Sequence, residues 1–374
     1  MFEVTFLLAA AFVLYTAAGY PLLLAALARM RPRPFARAPI RPTVSILLPV
    51  YNGEPWLRSK LESILALDYP RELLQILVIS DGSTDRTDEI ASQFESSGVQ
   101  LIRIPHSGKA AALNAGLERA TGEILFFTDV RQPLDRNALD RLVECFADPE
   151  VGAATGELVI LEGQTRQEAD TGLYWRYEKW IRKRQSAVDS VLGATGCIYA
   201  MRRSLARPLP PGTINDDMYL PLSAFLRGYR IVWDESARAY DIPASLRTEF
   251  RRKVRTLAGV YQIMRLLPAL LGPSNRMWFH FASHKLARQL LPWALLAMVA
   301  SSFGLPYPWG YAALAAQAGF CLAAALDPLI PERHNRVKPL TSPPRTFLVL
   351  MAAAALSIHA ILLPVNKLWN ETRT

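Results

Sequence analysis

Five charged residues stand where apolar runs give way to turns: Asp81, Lys109, Asp129, Asp216 and Asp217. Asp81 follows Ile76–Ser80 and opens Asp81-Gly82-Ser83-Thr84-Asp85. A carboxylate there can accept hydrogen bonds from a nucleobase or ribose, or shape the turn with Gly82 and cap the next helix. Asp129 closes the strongly apolar run Ile124-Leu125-Phe126-Phe127. A lone carboxylate at such an edge needs a partner, and a divalent metal beside a diphosphate would be one. A turn or helix cap is the other reading. Lys109 can pair with phosphate or sit on a solvated helix face. Asp216 and Asp217 lead into Met218-Tyr219-Leu220. Adjacent side chains point in different directions, so one can face a site while the other caps a helix. An acceptor hydroxyl needs a general base within hydrogen-bond reach, and either acid can serve.

The elements that must position these residues alternate. Strands are expected at Thr43–Leu48, Ile76–Ser80, Val99–Ile104 and Glu123–Thr128. Helices are expected at Glu54–Leu67, from Thr84 as cap to Phe94, at Lys109–Ala120 and at Leu134–Phe146. This order predicts an α/β domain with a mainly parallel central sheet and helices on both faces. Ligands bind beyond the carboxyl ends of such strands, where Tyr51-Asn52-Gly53, Asp81-Gly82-Ser83 and Asp129 gather. No G-x-G-x-x-G follows the first strand. Gly108-Lys109 lacks both the earlier glycine and the following hydroxyl of a P-loop, so a dinucleotide oxidoreductase or an ATPase has little support.

Apolar residues make up 51% of the chain, which points to a membrane part beside the α/β domain. Phe6–Ala28 carries no charge and is long enough to span a bilayer; Arg29, Arg31, Arg33, Arg37 and Arg41 follow it. No basic segment precedes that run, which favours an uncleaved anchor over a signal peptide. The basic flank predicts an outer N-terminus and a cytoplasmic domain. Gln289–Leu326 is 38 uncharged residues, split by Leu305-Pro306-Tyr307-Pro308-Trp309-Gly310 into two expected spans. Arg333, Arg336, Lys338 and Arg345 fit a cytoplasmic loop before a fourth span, Thr346–Asn366. Residues 251–288 mix apolar and basic side chains at helical spacing and read as amphipathic interface helices. The resulting plan is residues 1–28 as a membrane helix, 29–42 as a basic linker, and 43–250 as the cytoplasmic catalytic domain. Interface helices at 251–288, three spans at 289–366 and a tail at 367–374 complete it. The net charge of +9 is read as attraction to an anionic bilayer rather than to nucleic acid. Cys145, Cys197 and Cys321 are too scattered for a disulfide framework or a zinc site.

Six stretches, in order, resemble the membrane-bound inverting family 2 glycosyltransferases, the branch of the cellulose, hyaluronan and chitin synthases. They are Val44–Glu54 with Pro49-Val50-Tyr51-Asn52-Gly53-Glu54, Val78–Asp85, Gly108–Gly116, Phe127–Arg131, Gly193-Ala194-Thr195-Gly196 and Asn215-Asp216-Asp217. The resemblance implies a GT-A nucleotide-sugar-binding domain with transmembrane α-helices at the cell (inner) membrane. It implies that Pro49, Tyr51 and Glu54 line the nucleotide pocket, that Asp81 holds the uracil of a UDP-sugar and that Lys109 lies near the nucleotide. Asp129 would hold Mg²⁺ or Mn²⁺ against the diphosphate, and Asp217 would be the general base, with Asp216 beside it. Gly196, Arg252 and Arg255 fall on the acceptor or diphosphate side. Expected partners are a nucleotide sugar, a saccharide or lipid-linked acceptor, the bilayer, and a second copy or an export subunit.

The chain departs from the family pattern at two points. Asp-x-Asp is Asp129-Val130-Arg131 here, so Arg131 either accompanies a weakly held metal or partly replaces it. The Gln-x-x-Arg-Trp of processive enzymes corresponds to Arg252-Lys253-Val254-Arg255-Thr256, which keeps only the arginine. The surface that would stack on the acceptor sugar is therefore missing, and two readings stay open: a polymer conduit formed with an oligomer or partner subunit, and addition of one sugar to a lipid-linked acceptor. Trp175, Tyr177, Glu178 and Trp180 are candidate acceptor contacts or buried packing residues. Two other classes compete: a nucleotidyltransferase, and a non-catalytic scaffold or partner subunit of an export complex.

Overall fold

The computed structural model describes residues 1–161, 166–242, 246–330 and 337–361; the side chains of 166–175, 246–247, 249 and 360–361 are not described. Arg333, Arg336, the Trp175 side chain, the last residues of Thr346–Asn366 and the tail at 367–374 lie outside the described residues.

Among those residues one sheet has seven strands: β1 (Val44–Val50), β2 (Leu74–Asp81), β3 (Val99–Ile104), β4 (Ile124–Phe127), β5 (Val151–Ile160), β6 (Tyr199–Arg202) and β7 (Arg230–Asp241). The order is β3-β2-β1-β4-β6-β5-β7. β6 runs antiparallel to both β4 and β5, and the other pairings are parallel. Successive residues of a strand face opposite sides. Ile46, Leu48, Ile76 and Val78 therefore pack on one face, while Leu47, Leu77 and Ile79 pack on the other. Helices α3 (Glu54–Leu65), α4 (Thr87–Ser92) and α6 (Ala138–Glu144) cover the first face. Helices α5 (Lys109–Arg119) and α8 (Asp216–Leu226) cover the second. Each fully buried Leu or Ile contributes roughly 1.5–3 kcal/mol.

The expected strands and helices are present with shifted ends. Thr84 is not a cap. Helix α4 starts at Thr87, whose amide and hydroxyl both donate to the Asp85 carboxylate, while the Thr84 amide donates to Asn52 Oδ1 at 2.9 Å. Helix α7 (Arg166–Val188) and strands β5 to β7 add the half of the domain that carries the second pair of acids.

Helices α1 (Phe2–Leu14) and α2 (Tyr20–Met30) join through a π-helical turn, Tyr15–Gly19. Helix α9 (Leu246–Leu266) leads to α10 (Trp278–Phe281), a second π-turn at Ala282–Leu286, and α11 (Ala287–Ser302). Helices α12 (Trp309–Leu326) and α13 (Lys338–Ser357) follow. Two described helical stretches are long and apolar enough to cross a membrane, Phe2–Met30 and Trp309–Leu329. Among the described residues the other two expected spans do not reach that standard. Helix α11 has 16 residues, and α13 carries Lys338, Arg345 and two internal prolines. These four still pack together: α1 along α11, α12 on α13, and α13 on both α11 and α9.

Two groups of basic residues differ from their expected places. Lys338 and Arg345 are not in a loop; they sit on α13 and converge with Thr341 and Ser342 on the buried Asp327. The linker arginines run along the α/β domain. Arg33 pairs with Asp189 at 2.8 Å and Glu150 at 2.7 Å, Arg37 with Asp234 at 2.7 Å and Glu144 at 3.0 Å, and Arg41 with Asp140.

Candidate active site

The first two motifs, some thirty residues apart, are stitched together at the carboxyl edge of β1 and β2. Asn52 accepts the Thr84 amide, Thr87 Oγ1 accepts the Gly53 amide at 2.7 Å, and Asp85 accepts the Glu54 amide at 3.0 Å. Glu54 in turn accepts the Arg86 amide at 3.2 Å. Pro49 lies within β1, with Tyr51 just past its end. Asp81 is buried, and both its oxygens are engaged: Oδ1 accepts the Ser107 amide at 2.6 Å, Oδ2 the Gly108 amide at 2.9 Å, and His106 Nδ1 is 3.0 Å away. The carboxylate thus shapes the 106–108 loop. Gly82 has φ +65, and a Cβ there would sit 2.6 Å from the His106 amide, so only glycine lets this loop close down. The loop lays His106 against the exposed Tyr51, with ring centroids 4.4 Å apart. Together they make an aromatic face at the mouth of the sheet.

Lys109 starts α5 beside that face. Its ammonium lies 2.9 Å from Asp129 Oδ1 and 3.1 Å from Asp216 Oδ1. It is therefore not a solvated surface lysine: the two acids hold it in its charged form, against the cost of burial, and push its pKa up. Asp129 sits on a turn clamped from beneath by Lys60. That buried amine donates to Thr128 Oγ1 at 2.6 Å and to the Gln132 carbonyl. Burial lowers the Lys60 pKa to about 7. Asp216 and Asp217 open α8, which explains their proximity to each other and to Lys109. Burial, followed by the Asp216 charge, raises the Asp217 pKa to about 6 despite the opposing pull of Lys109. Gly196 faces Asp217: a Cβ at that position would lie 3.2 Å from Asp217 Oδ2. The Ala194 amide donates to the Asp217 carbonyl at 2.7 Å. A carboxylate poised near neutrality, a gap in front of it, and a lysine bridging two further acids suit proton removal beside an anionic leaving group.

Residues 45–209 match Glycosyl transferase family 2, and residues 132–326, more than half of the chain, match Glycosyl transferase family group 2. The chain belongs to Glycosyl transferase family group 2. It is 25% identical over 251 residues to a probable glycosyltransferase of Bacillus subtilis (strain 168), covering 60% of this chain and 57% of that one. It is 26% identical over 229 residues to the poly-beta-1,6-N-acetyl-D-glucosamine synthase of Staphylococcus aureus (strain COL), covering 59% and 55%. The chain thus spans little more than half the length of these relatives. A mannosyltransferase from Pyrobaculum calidifontis, solved with GDP-Man and Mn²⁺, shares the fold at TM-score 0.76 and 22% identity, over 96% of this chain and 99% of that one.

In this chain the Asp-x-Arg departure has a structural account. Arg131 Nη2 lies 2.6 Å from Asp241 Oδ2 at the end of β7, and Gln132 Nε2 donates to the same oxygen at 2.8 Å. Arg131 is thus tied to the sheet edge rather than joined to the Lys109 cluster. The described residues include no group of three His, Cys, Asp or Glu side chains placed to hold a metal. Asp129 offers one partly exposed carboxylate. That fits a divalent cation shared with substrate phosphates, which asks one or two carboxylates of the protein, and does not fit a cage built by the protein alone.

Helix α9 brings Arg252 and Arg255 past this region, and both are engaged in contacts. Between the α/β domain and the apolar helices lies a cavity of about 510 Å³; Thr195, Met218, Tyr177, Glu178 and Thr256 line it. Thr256, on α9, stands where the resemblance led us to expect a tryptophan. Trp180 instead packs beside Tyr20, Leu24 and Ile181, with the Arg184 guanidinium 3.5 Å from its ring centroid. Sequence reasoning missed His106, Lys60, Arg182 and Lys285. Lys60, Arg182 and Lys285 reach the site from distant elements, and no local pattern marks them or His106, which stands three residues before Lys109.

Proposed function

We propose that the protein is an inverting glycosyltransferase that moves a sugar from a nucleotide sugar to a saccharide or lipid-linked acceptor at the inner face of a membrane. The observation that carries the reading is the placement of Lys109 between Asp129 and Asp216, with Asp217 adjoining. The nucleobase would rest at the Tyr51–His106 face, beside the loop organised by Asp81. The diphosphate would lie toward Lys109 and Asp129, with Pro49 and Glu54 forming the floor and rim. Asp217 takes the proton of the acceptor hydroxyl as its oxygen bonds to the anomeric carbon. The carbon–oxygen bond to the diphosphate breaks in the same step, and the nucleoside diphosphate leaves with the electron pair. A divalent cation held by Asp129 and the donor phosphates would neutralise the departing charge. Lys109 supplies part of that neutralisation itself. Thr256 in place of tryptophan supports addition of one or a few sugars.

The membrane arrangement proposed is four helical crossings around a cytoplasmic domain, supported by the two long apolar helices and by the packing of α11 and α13 on them. The test is a donor screen on purified full-length protein, with and without Mn²⁺ or Mg²⁺, following nucleoside diphosphate release and product length together. Release of nucleoside diphosphate with an inverted linkage is expected. Release of pyrophosphate would identify a nucleotidyltransferase, and release of neither from any donor would leave the scaffold reading.

A further inference from the structure

Lys60 is a buried cation that the transfer step leaves without a task. It lies on the second turn of α3 and is 1% exposed. Both its described partners are neutral oxygens, Thr128 Oγ1 at 2.6 Å and the Gln132 carbonyl. Holding an ammonium there costs desolvation that a methionine of similar length would avoid. The two partners are the ends of the turn that carries Asp129. Thr128 directly precedes Asp129, and the Gln132 side chain is anchored on Asp241 at 2.8 Å. Thr128 is also buried, and its hydroxyl donates onward to the Cys197 carbonyl at 2.8 Å. Cys197 follows Gly196, the glycine that faces Asp217. At its start α3 is fixed to the second motif, where Thr87 and Asp85 accept the Gly53 and Glu54 amides. One helix and one hydroxyl therefore connect the loop beside Tyr51, the turn of Asp129 and the loop facing Asp217.

We propose that Lys60 is a positioning residue that sets the span between the nucleobase face and the diphosphate end of the donor site, and through Thr128 holds that end in register with the loop facing Asp217. For its ligand the assignment rests on the transferase reading above. An ammonium suits this place because it can only donate. The Thr128 oxygen must accept from it, so the Thr128 proton is committed to Cys197. A neutral side chain that both donates and accepts would leave that direction open. Lys60 touches neither donor nor acceptor and acts through the two ends of the Asp129 turn.

The experiment compares Lys60→Met, Thr128→Val and Thr128→Ser with the wild-type full-length protein in detergent. UDP and GDP, each with and without Mn²⁺, are titrated by calorimetry, and uridine and guanosine by ligand-observed NMR. Lys60→Met and Thr128→Val should each weaken diphosphate binding at least about tenfold, the scale of one charge-assisted hydrogen bond, and leave nucleoside binding within about twofold. The two changes combined should cost no more than either alone, because they break one network. Thr128→Ser, which keeps the hydroxyl, should bind as wild type does. Hydrogen exchange at residues 128–132 and 194–198 should quicken together in Lys60→Met and Thr128→Val, with β1 to β3 unchanged. If Lys60→Met does not fold, the two Thr128 variants carry the same comparison. Unchanged diphosphate affinity in the folded variants, an equal loss of nucleoside, or exchange that quickens in one segment alone would overturn the proposal. A wild-type protein that binds neither nucleotide, with both segments still loosening together in the variants, would sink the transferase reading and leave the clamp standing.

Discussion

Asn215 donates its side-chain amide to the backbone carbonyl of Thr256, 2.9 Å away. One residue is the neighbour of the paired acids; the other belongs to the amphipathic helix. Gln262 strengthens the join, accepting the Ile214 amide at 2.8 Å and donating to the Gly212 carbonyl at 3.0 Å. The turn that aims Asp217 is thus fastened to α9. Gly259 makes this possible, since a Cβ there would lie 2.4 Å from Asn215 Nδ2. Gly259→Ala should push the turn aside and cut kcat by about 100-fold, the scale expected for an ångström of misplacement. Nucleotide affinity, read by calorimetry, should stay within about twofold of wild type.

Asp217→Asn should lower kcat by about 10²–10⁴-fold, the usual worth of a general base, while nucleotide binding persists. With a pKa raised to about 6, the wild-type rate should climb as pH rises through 6 and then level. Stability should move the other way. The folded state holds this proton more tightly than the unfolded chain, so the stabilisation is full below the unfolded carboxylate pKa and is lost as pH rises through 6. Asp217→Asn removes that loss, and its Tm at pH 8 should exceed that of wild type.

Lys109→Met should leave Asp129, Asp216 and Asp217 without their shared cation. Each carboxylate then ionises less readily, and the acidic limb of the pH–rate profile should move up by about 1–3 pH units. An unmoved limb would show that Lys109 does not influence the base.

Restoring a second carboxylate through Arg131→Asp should not create a better metal site. It would place a like charge beside Asp241, which is 3% exposed and has Arg131 as its ion-pair partner. Breaking such a pair costs about 3–5 kcal/mol. The variant should show a clearly lower Tm in detergent, with no gain in Mn²⁺ affinity by titration.

The first four strands were legible because each is a compact run of Val, Ile, Leu or Phe closed by a turn, as in Val44–Leu48 and Ile124–Phe127. Strand β5 reads Val-Gly-Ala-Ala-Thr-Gly, too small and even to announce itself, and β7 interleaves Asp234, Glu235 and Arg238 with its apolar residues. Asp81, Lys109, Asp129, Asp216 and Asp217 could be picked out by their places after strands or at helix starts. What each one touches could not. The Asp81 grip on the 107 and 108 amides, the Arg131–Asp241 pair and the Asn215–Thr256 bond join segments 26 to 110 residues apart, and nothing in local spacing encodes such partners. The linker arginines show the same limit from the other side. Their positive charge was visible, but the acids that neutralise it lie around a hundred residues or more downstream.

Those linker pairs decide how the N-terminal helix, the proposed membrane anchor, is joined to the α/β domain. A slack tether would let the α/β domain bob and swivel beneath Phe2–Met30, with each encounter between base and acceptor left to diffusion. Arg33, Arg37 and Arg41 leave no such slack, and the Asp189 and Asp234 pairs are sheltered enough to resist screening by salt. In that arrangement a tilt of the N-terminal helix would be passed to the α/β domain through these pairs. On the proposed membrane arrangement, the thickness of the surrounding lipid would bear on the alignment of the reaction.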